Sequence, residues 1–294
     1  MSYRIALATA AAYPDLDDDG RLVLDALRAA GHTAEPVVWD DASIEWEDYD
    51  AVVLRGTWDY SRRYDDFLGW MWKIKDKALA LNQEPLVRYY ADKRYLRDYE
   101  SEGVDIVPTQ FVTVHDPTLE HDYLGVEHIV RPSISGGLLE ARRFGPGDAE
   151  ASKAELEKIK AAGKTAMISP YVESDLERSG VSLIYLDGEF SHAVARSLHI
   201  APDSDPSDEL RPGEDVVDIE PTEGERRLAD FALSRGVTES PLYARVDLIR
   251  TPKDAPWLIE VQLVEPVLFL GRVPGLAEKF AGQIVARIEK AANA

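Results

Sequence analysis

The chain has 294 residues, of which 45% are hydrophobic and 30% charged, and it contains no cysteine. A chain of this length can form two or three lobes, each with its own core. The lack of cysteine excludes disulfides, zinc–thiolate sites and thiol nucleophiles. The formal net charge of −21 is poorly matched to nucleic-acid phosphates or anionic membranes, so we expect neither as a partner. The N-terminus shows no signal-peptide pattern and no apolar run has membrane-spanning length, which predicts a cytoplasmic protein.

The first 60 residues alternate between strand and helix patterns. Strands are predicted at 3–9, 34–38 and 51–54, with a helix at 22–30, an order that indicates an open α/β unit. Ligands of such sheets bind at the carboxyl ends of the strands, so the residues after the third strand become candidate substrate contacts: Arg55, Trp58, Asp59 and Tyr60. Arg55 is expected to bind a carboxylate and Asp59 an α-ammonium. The alternative is that these two side chains pair with each other at the surface.

The rest of the chain continues with mixed elements. Helices are predicted at 65–77, 92–102, 149–162, 222–235 and 275–292, and the segment 81–90 is expected to be a bridge. Strands are predicted at 128–131, 166–172, 181–186 and 189–196, with a hairpin turn at Asp187-Gly188. The segment 199–220 is rich in Pro, Asp, Ser and Glu, which predicts a long mobile loop that acts as a lid.

Two apolar runs, 243–250 and 257–264, predict a β-hairpin, and the strongest candidates for catalytic or metal-binding residues lie in it. Because side chains alternate between the faces of a strand, Arg245 and Asp247 share one face, and Glu260 and Gln262 share one face of the second strand. The opposite faces are apolar (Ala244, Val246, Leu248; Ile259, Val261, Leu263). Neighbouring carboxylates repel each other unless a cation lies between them, and oxygen ligands of this kind suit Mg²⁺ with nucleotide phosphates. The alternative is a sheet with one solvated face.

The order of these features resembles the ATP-grasp superfamily over nearly the whole chain. The resemblance rests on Asp92-Lys93 at a helix start, Arg131 before a loop of small residues, Ser169-Pro170-Tyr171-Val172, Arg196 at a strand end, Arg245-Val246-Asp247 and Glu260-Val261-Gln262. The segments 191–194 and 265–270 are similar to the small amino-acid ligase branch that includes the O-ureido-serine cyclo-ligases. The implied fold is α/β, with an N-terminal α/β domain (1–88) and two lobes that clasp a nucleotide (89–172 and 173–294).

The resemblance also implies roles for single residues. Lys93 and Arg131 would bracket the phosphates of ATP, which the loop of Ser133, Ser135, Gly136 and Gly137 would cover, and Pro170, Tyr171 and Val172 would form the hinge that meets adenine. Arg196 would face the γ-phosphate, Arg245 would stabilise the oxyanion, and Asp247, Glu260 and Gln262 would hold Mg²⁺. Glu265 is expected to contact the substrate, and His192 is either a substrate contact or a structural histidine.

The implied activity is an ATP- and Mg²⁺-dependent ligation that forms an amide-type C–N bond through the acyl phosphate of a small amino-acid-like acid. A ring-closing reaction within one molecule is its more specific form, and the oligomeric state is open, a homodimer included. The chain departs from the family pattern at four positions. Arg131 and Arg196 replace lysine, Val181 replaces an acidic residue expected to bind ribose, and Gln262 stands where Glu or Asn is usual. These departures leave an alternative, a degraded family member that binds a nucleotide or metabolite without turnover.

Overall fold

The structure is a computed structural model that describes residues 1–136, 140–173, 180–197, 200, 215–235, 240–251 and 255–293. These ranges hold thirteen β-strands and seven α-helices. None of the helices in them is long and apolar enough to cross a membrane.

The N-terminal part is a parallel sheet. It consists of β1 (Arg4–Thr9), β2 (Thr33–Val38), β3 (Ala51–Gly56) and β4 (Leu79–Leu81) in the order β2-β1-β3-β4. Helices α1 (Asp18–Ala29) and α2 (Tyr64–Ile74) connect these strands. β3 is buried along its whole length, which explains why its sequence is a continuous apolar run rather than an alternating one. The predicted α/β class is therefore confirmed.

The second sheet is antiparallel and follows two short helices, α3 (Glu84–Ala91) and α4 (Tyr95–Ser101). It comprises β5 (Gln110–Val112), β6 (His128–Pro132), β7 (Arg142–Phe144) and β8 (Ala166–Pro170) in the order β5-β8-β6-β7, with α5 (Ala149–Ala161) packed against it. The prediction of a bridge at 81–90 was wrong, since α3 occupies most of that segment. Pro85 lies in the first turn of α3, where proline is tolerated and starts a helix rather than breaking one.

The third sheet is the largest. It is antiparallel, with β9 (Gly180–Leu186), β10 (Glu189–Arg196), β11 (Val216–Ile219), β12 (Tyr243–Arg250) and β13 (Pro256–Gln262) in the order β11-β10-β9-β12-β13. Helix α6 (Glu223–Leu233) packs on it and begins with a capping box of Thr222 and Glu225. The predicted turn at Asp187-Gly188 has φ values of 55° and 81°, as a two-residue hairpin turn requires.

The predicted lid is only partly within the described residues. Residues 216–219 form β11, which pairs with residues 193–196 of β10, so the prediction of a loop was wrong for this part of the segment. Local sequence could not reveal this strand, because it depends on pairing with an edge that only the folded sheet offers. Residues 199 and 201–214 lie outside the described residues.

The C-terminal helix α7 (Leu276–Ala292) packs against α1 and joins the sheets through a shared core. Phe280 and Ile284 of this helix lie in one apolar cluster with Leu7 and Leu27 of the N-terminal part and with Val194 of β10. The hydroxyl of Tyr243 lies 2.9 Å from the carbonyl oxygen of Leu54 and 2.8 Å from that of Val264. The side chain of Asn82 bonds to the backbone of Leu242, Tyr243 and Leu263. These contacts fix the carboxyl end of β3 beside the hairpin of β12 and β13.

The segment that follows β13 is held by one buried carboxylate, that of Asp19 in the first turn of α1. Asp19 accepts hydrogen bonds from the backbone N–H groups of Leu268 (2.7 Å), Phe269 (2.8 Å) and Leu270 (2.9 Å). Phe269 has a φ of 54°, a left-handed conformation that a non-glycine residue keeps only where its surroundings hold it. Asp19 thus determines the path of residues 265–270.

Replacing Asp19 with Ala should therefore lower the free energy of unfolding by about 3 kcal/mol, because buried N–H groups lose a charged acceptor. Urea unfolding of the two proteins measures the difference. Asp18→Ala is the matched control, since the neighbouring side chain is exposed and pairs with Arg21 at the surface. Equal stability of Asp19→Ala and the unaltered protein would show that Asp19 does not hold this segment.

Candidate active site

The polar face of the β12–β13 hairpin is the centre of the site. In the pairing register Arg245 lies opposite Gln262 and Asp247 lies opposite Glu260, so all four side chains share one face, as the alternation predicted. This face is not solvated, because Arg245, Asp247 and Glu260 are 4%, 2% and 3% exposed. The alternative of a hairpin with a water-facing side is therefore excluded.

The register shifts by one residue after Asp247, so that Leu248 pairs with Leu258 and Ile259 is the extra residue of a bulge. Leu258 takes the core position that the alternation had assigned to Ile259, and Ile259 lines a cleft beside the site instead. The prediction for Ile259 was wrong because a bulge changes which face each following side chain occupies.

The carboxylate of Asp247 is the most heavily bonded group of the site. Oδ1 accepts from Ser182 Oγ at 2.6 Å and from Arg245 Nε at 3.0 Å. Oδ2 accepts from Arg196 Nη2 at 2.9 Å, Arg245 Nη2 at 3.0 Å and Gln262 Nε2 at 3.2 Å. Burial alone would raise the pKa of Asp247, but the guanidinium groups of Arg196 and Arg245 outweigh it and hold this pKa below the ordinary value.

Glu260 lies beside two further cations. Its Oε2 is 3.4 Å from Lys93 Nζ and 3.7 Å from Arg131 Nη1, and Gln262 donates to Oε1. Oε2 is buried and accepts no hydrogen bond from the described residues. Burial favours the neutral acid, yet the charges of Lys93 and Arg131 keep the pKa of Glu260 below its ordinary value. An ionised, incompletely bonded oxygen at this position is suited to binding a further cation.

The loop after β6 folds over Lys93. Lys93 Nζ donates to the carbonyl oxygen of Ser135 at 2.6 Å, and the backbone N–H of Lys93 donates to Ser133 at 2.9 Å. Burial lowers the pKa of Lys93. The structure thus brings Ser133, Ser135 and Gly136 next to Lys93, whereas Gly137 lies outside the described residues.

An apolar cleft leads from this charged centre between the second and third sheets. It encloses about 640 Å³, the open space at its mouth included, and its wall contains the predicted hinge residues Pro170, Tyr171 and Val172. Arg131 stands in the same wall and thereby connects the cleft with Glu260. The guanidinium carbon of Arg143 lies 3.6 Å from the ring centre of Tyr171 and fixes that ring.

The predicted substrate residues after β3 divide into two groups. Arg55 is fully buried, and its Nη2 lies 3.4 Å from the carbonyl oxygen of Pro266, while Trp58 Nε1 lies 3.3 Å from that of Glu265. Tyr60 lines a small cavity with Lys93, Glu260 and Glu265. Asp59 instead accepts from Trp39 Nε1 at 2.9 Å and lies 3.6 Å from Arg63. Asp59 and Arg55 do not pair with each other, and Asp59 is not brought to the site.

Two other positions lie elsewhere than the sequence indicated. His192 Nδ1 lies 3.1 Å from Ser191 Oγ, near Asp19 and Leu268 rather than in the cavity of Glu260. Burial lowers the pKa of His192. Val181 is 1% exposed and packs in the core cluster on the opposite face of the sheet, not in the wall of the cleft. The sequence analysis missed its neighbour Ser182, which lies opposite Asp247 on the same face of the sheet. The alternation of side chains along β9 could have indicated it.

Glu265 is the one carboxyl group of the site that the arginines do not bind directly. It is 7% exposed, and its side chain makes no hydrogen bond or ion pair within the ranges that the structure describes. Burial raises its pKa to about 8, against the partly compensating charges of Lys93 and Arg245.

The site as a whole carries an excess of positive charge. Five buried cations, Arg55, Lys93, Arg131, Arg196 and Arg245, face three buried carboxyl groups, Asp247, Glu260 and Glu265. Such an excess inside a protein of net charge −21 is suited to a polyanionic ligand. The missed residues that hold this arrangement in place are Asp19, Asn82 and Ser182.

Comparison with known proteins identifies the family. Residues 5–82 match the family model described as the N-terminal domain of D-cycloserine synthetase DcsG. The chain is 30% identical to the cycloserine biosynthesis protein DcsG of Streptomyces lavendulae, in an alignment that covers 97% of this chain and 99% of that protein. The chain belongs to the DcsG family of ATP-grasp proteins. As a member of this family, it is an ATP-dependent ligase.

Solved structures agree with this assignment. The crystal structure of D-cycloserine synthetase DcsG has a TM-score of 0.86 at 29% identity and covers 97% of this chain and 99% of its own. The D-alanine–D-alanine ligase of Bacillus anthracis has a TM-score of 0.68 at 14% identity, with 99% and 98% covered, and shares the fold. The superfamily predicted from the sequence is therefore confirmed.

The unusual pKa of Glu265 gives a test that needs no ligand. A carboxyl group whose pKa is raised in the folded protein keeps its proton there while the unfolded chain has lost it, so stability falls as pH rises from about 4.5 to about 8. We expect the unaltered protein to lose stability over this range relative to Glu265→Gln, as measured by urea unfolding at several pH values.

Glu225→Gln is the control with the opposite sign. Hydrogen bonds from Arg250 and from Thr222, which outweigh the effect of burial, lower the pKa of Glu225. The unaltered protein should therefore gain stability relative to Glu225→Gln as pH rises through the ordinary carboxyl range. A flat difference between the unaltered protein and Glu265→Gln would contradict the burial of an unpaired carboxyl group.

Proposed function

We propose that this ligase joins the carboxylate of a small amino-acid-like acid to a nitrogen, with ATP and Mg²⁺, through an acyl phosphate. The observation that carries this proposal is the set of buried cations around Asp247 and Glu260 at the inner end of the apolar cleft. A triphosphate at this position would neutralise the excess positive charge, and its base would fill the cleft.

The nucleotide would lie along the cleft with its phosphates at Lys93, Arg131 and Arg196. The N–H of Tyr171 already donates to the carbonyl oxygen of Glu127 at 2.8 Å. The backbone N–H and C=O of Val172 make no hydrogen bond in the part of the chain that the structure describes, which makes them the groups to meet the edge of adenine. The loop of Ser133, Ser135 and Gly136 would cover the phosphates.

The donor set at the hairpin fits a magnesium ion. Asp247, Glu260 and Gln262 supply two carboxylates and an amide, and the buried Oε2 of Glu260 has an unused acceptor position. Donors of the protein fill both oxygens of Asp247, so Asp247 would bind the ion in exchange for one of these donors. Gln262 donates its side-chain N–H to the carboxylates of Asp247 and Glu260. Its oxygen becomes a ligand only when the side-chain amide flips. When bound there, Mg²⁺ would neutralise charge on the phosphates of ATP.

Two arginines of the chain would stabilise the charges that form during the reaction. The carboxylate of the acid takes the γ-phosphoryl group, which gives ADP and an acyl phosphate, and the nitrogen then attacks the carbonyl carbon while phosphate leaves. Arg196 would stabilise charge on the transferred phosphoryl group. Arg245, held by Asp247 and by the carbonyl oxygen of Val267 at 3.2 Å, would stabilise the oxyanion that forms during attack.

The relative's name supports a ring-closing form of this reaction, in which the nitrogen and the carboxylate belong to one molecule. O-ureidoserine is the corresponding acid, and its D form is the first choice because the related structure is that of a D-cycloserine synthetase. Tyr60 and Glu265 line the same small cavity as Lys93, a cation suited to the carboxylate of such an acid. Arg55, Trp58, Tyr60 and Glu265 would surround this substrate.

Glu260→Gln should abolish Mg²⁺-dependent ADP release with O-ureido-D-serine, because the site then keeps a single carboxylate for the ion. Circular dichroism and the melting temperature should show an intact fold. Glu155→Gln is the control, since Glu155 of α5 is also buried but pairs with Arg142 of β7, away from the hairpin. Normal turnover of Glu260→Gln with unchanged Mg²⁺ dependence would remove the metal assignment. ATP binding by the unaltered protein without ADP release would instead support the degraded-member alternative.

Arg196→Ala should slow ADP release on the order of 100-fold, as expected when a group that stabilises transition-state charge is removed. Arg196→Lys should keep part of the activity, because it keeps the charge but loses the fork that joins Ser182 and Asp247. Titration calorimetry with ATP separates binding from turnover. Unaltered ATP affinity together with normal kinetics in Arg196→Ala would show that Arg196 has no phosphate role.

A further inference from the structure

The carboxyl group of Glu265 is built into the site without a partner. It is more than nine-tenths buried, lines the cavity beside Lys93 and Glu260, and makes no hydrogen bond or ion pair with any residue that the structure describes. Burying a carboxylate without compensation is costly. A partner within the protein would remove this cost, but the described ranges contain no such partner. A ligand that supplies the partner would remove it as well.

The backbone that carries this carboxyl group is nevertheless held in place. Trp58 Nε1 bonds to the carbonyl oxygen of Glu265 at 3.3 Å, Arg55 Nη2 lies 3.4 Å from that of Pro266, and Asp19 holds the N–H groups of residues 268–270. A buried acidic group on a firmly held backbone is typical of a recognition site rather than of a mobile surface residue.

The chemistry of the missing partner follows from the chemistry of the site. Because burial keeps a proton on the isolated carboxyl group up to a pH of about 8, a suitable partner is one that carries a positive charge and N–H groups. Such a partner stabilises the ionised form of Glu265, which only accepts hydrogen bonds. The carboxylate of the acid substrate would be repelled by Glu265 and attracted by Lys93 and Arg245. The amino group of an amino-acid-like acid is therefore the part that suits Glu265, and in an α-amino acid it lies two bonds from the carboxylate carbon.

Asp59, the other acidic candidate for binding the α-amino group, already has partners within the protein. It accepts from Trp39 Nε1 at 2.9 Å and lies 3.6 Å from Arg63. Its side chain thus belongs to the surface of the N-terminal sheet, away from the cavity that holds Glu265.

We propose that Glu265 binds the α-amino group of the acid substrate and thereby makes the enzyme specific for α-amino acids. This inference rests on the proposed function, since it takes the acid to be the substrate whose carboxylate reacts. It assigns to Glu265 a role in positioning: the amino group at Glu265 directs the neighbouring carboxylate towards Lys93 and Arg245.

The test compares two acids, O-ureido-D-serine and the same molecule with hydrogen in place of the α-amino group. The unaltered enzyme should prefer the amino acid in kcat/KM of ADP release on the order of 100-fold, the effect of leaving one member of a buried ion pair without its partner. Glu265→Gln should lose most of this preference, and Glu265→Asp should keep part of it. For a folded variant without turnover, titration calorimetry of both acids in the presence of ADP and Mg²⁺ gives the same comparison.

Asp59→Asn is the control and should keep the full preference of the unaltered enzyme. A preference that survives in Glu265→Gln, or an unaltered enzyme that uses both acids equally well, would overturn the role of Glu265 while leaving the proposed function in place. An unaltered enzyme that releases ADP with neither acid would overturn the proposed function, and the inference with it.

Discussion

The site depends on one buried carboxylate, that of Asp247. It binds a hydroxyl from β9, guanidinium groups from β10 and β12 and an amide from β13, so four of the five strands of the largest sheet meet at it. Removing it would leave two guanidinium groups buried beside each other without their shared anion. The arginines are therefore held in place by the protein itself, which is the condition for efficient electrostatic catalysis. It also explains arginine at position 196: Nε reaches Ser182 while Nη2 reaches Asp247, which a single ammonium group could not do in the same way.

Charge is arranged oppositely outside and inside the molecule. The chain has a net charge of −21, yet five buried cations converge on the site. Asp247 and Glu260 are kept ionised by these cations, whereas Glu265 pairs directly with none of them in the described ranges, and its pKa rises to about 8. In our proposal, this difference separates the carboxylates that would bind a metal ion from the one that would bind a substrate amino group. Three similar side chains would thereby acquire different tasks from their surroundings.

The sequence predicted those parts of the structure that depend on local patterns. Alternation placed Arg245, Asp247, Glu260 and Gln262 on one face, and the turn at Asp187-Gly188 followed from two residues. The sequence could not predict β11, because this strand forms by pairing with the edge of β10. Nor could it predict the bulge at Ile259, which changes the face that a side chain occupies within one strand. The same parity rule, applied to β9, would have excluded Val181 and found Ser182. Asp19 was missed because the three backbone N–H groups that donate to it lie about 250 residues away in the chain.

The central claim is that the buried cations serve the transfer of a phosphoryl group to a carboxylate. Oxygen-18 in the carboxylate of O-ureido-D-serine tests it most directly, because an acyl phosphate passes one of these oxygens to the phosphate that leaves. We expect ³¹P NMR to show inorganic phosphate with one oxygen-18 for each turnover, together with ADP. Label found in AMP, or phosphate that carries no label while the product forms, would contradict the account.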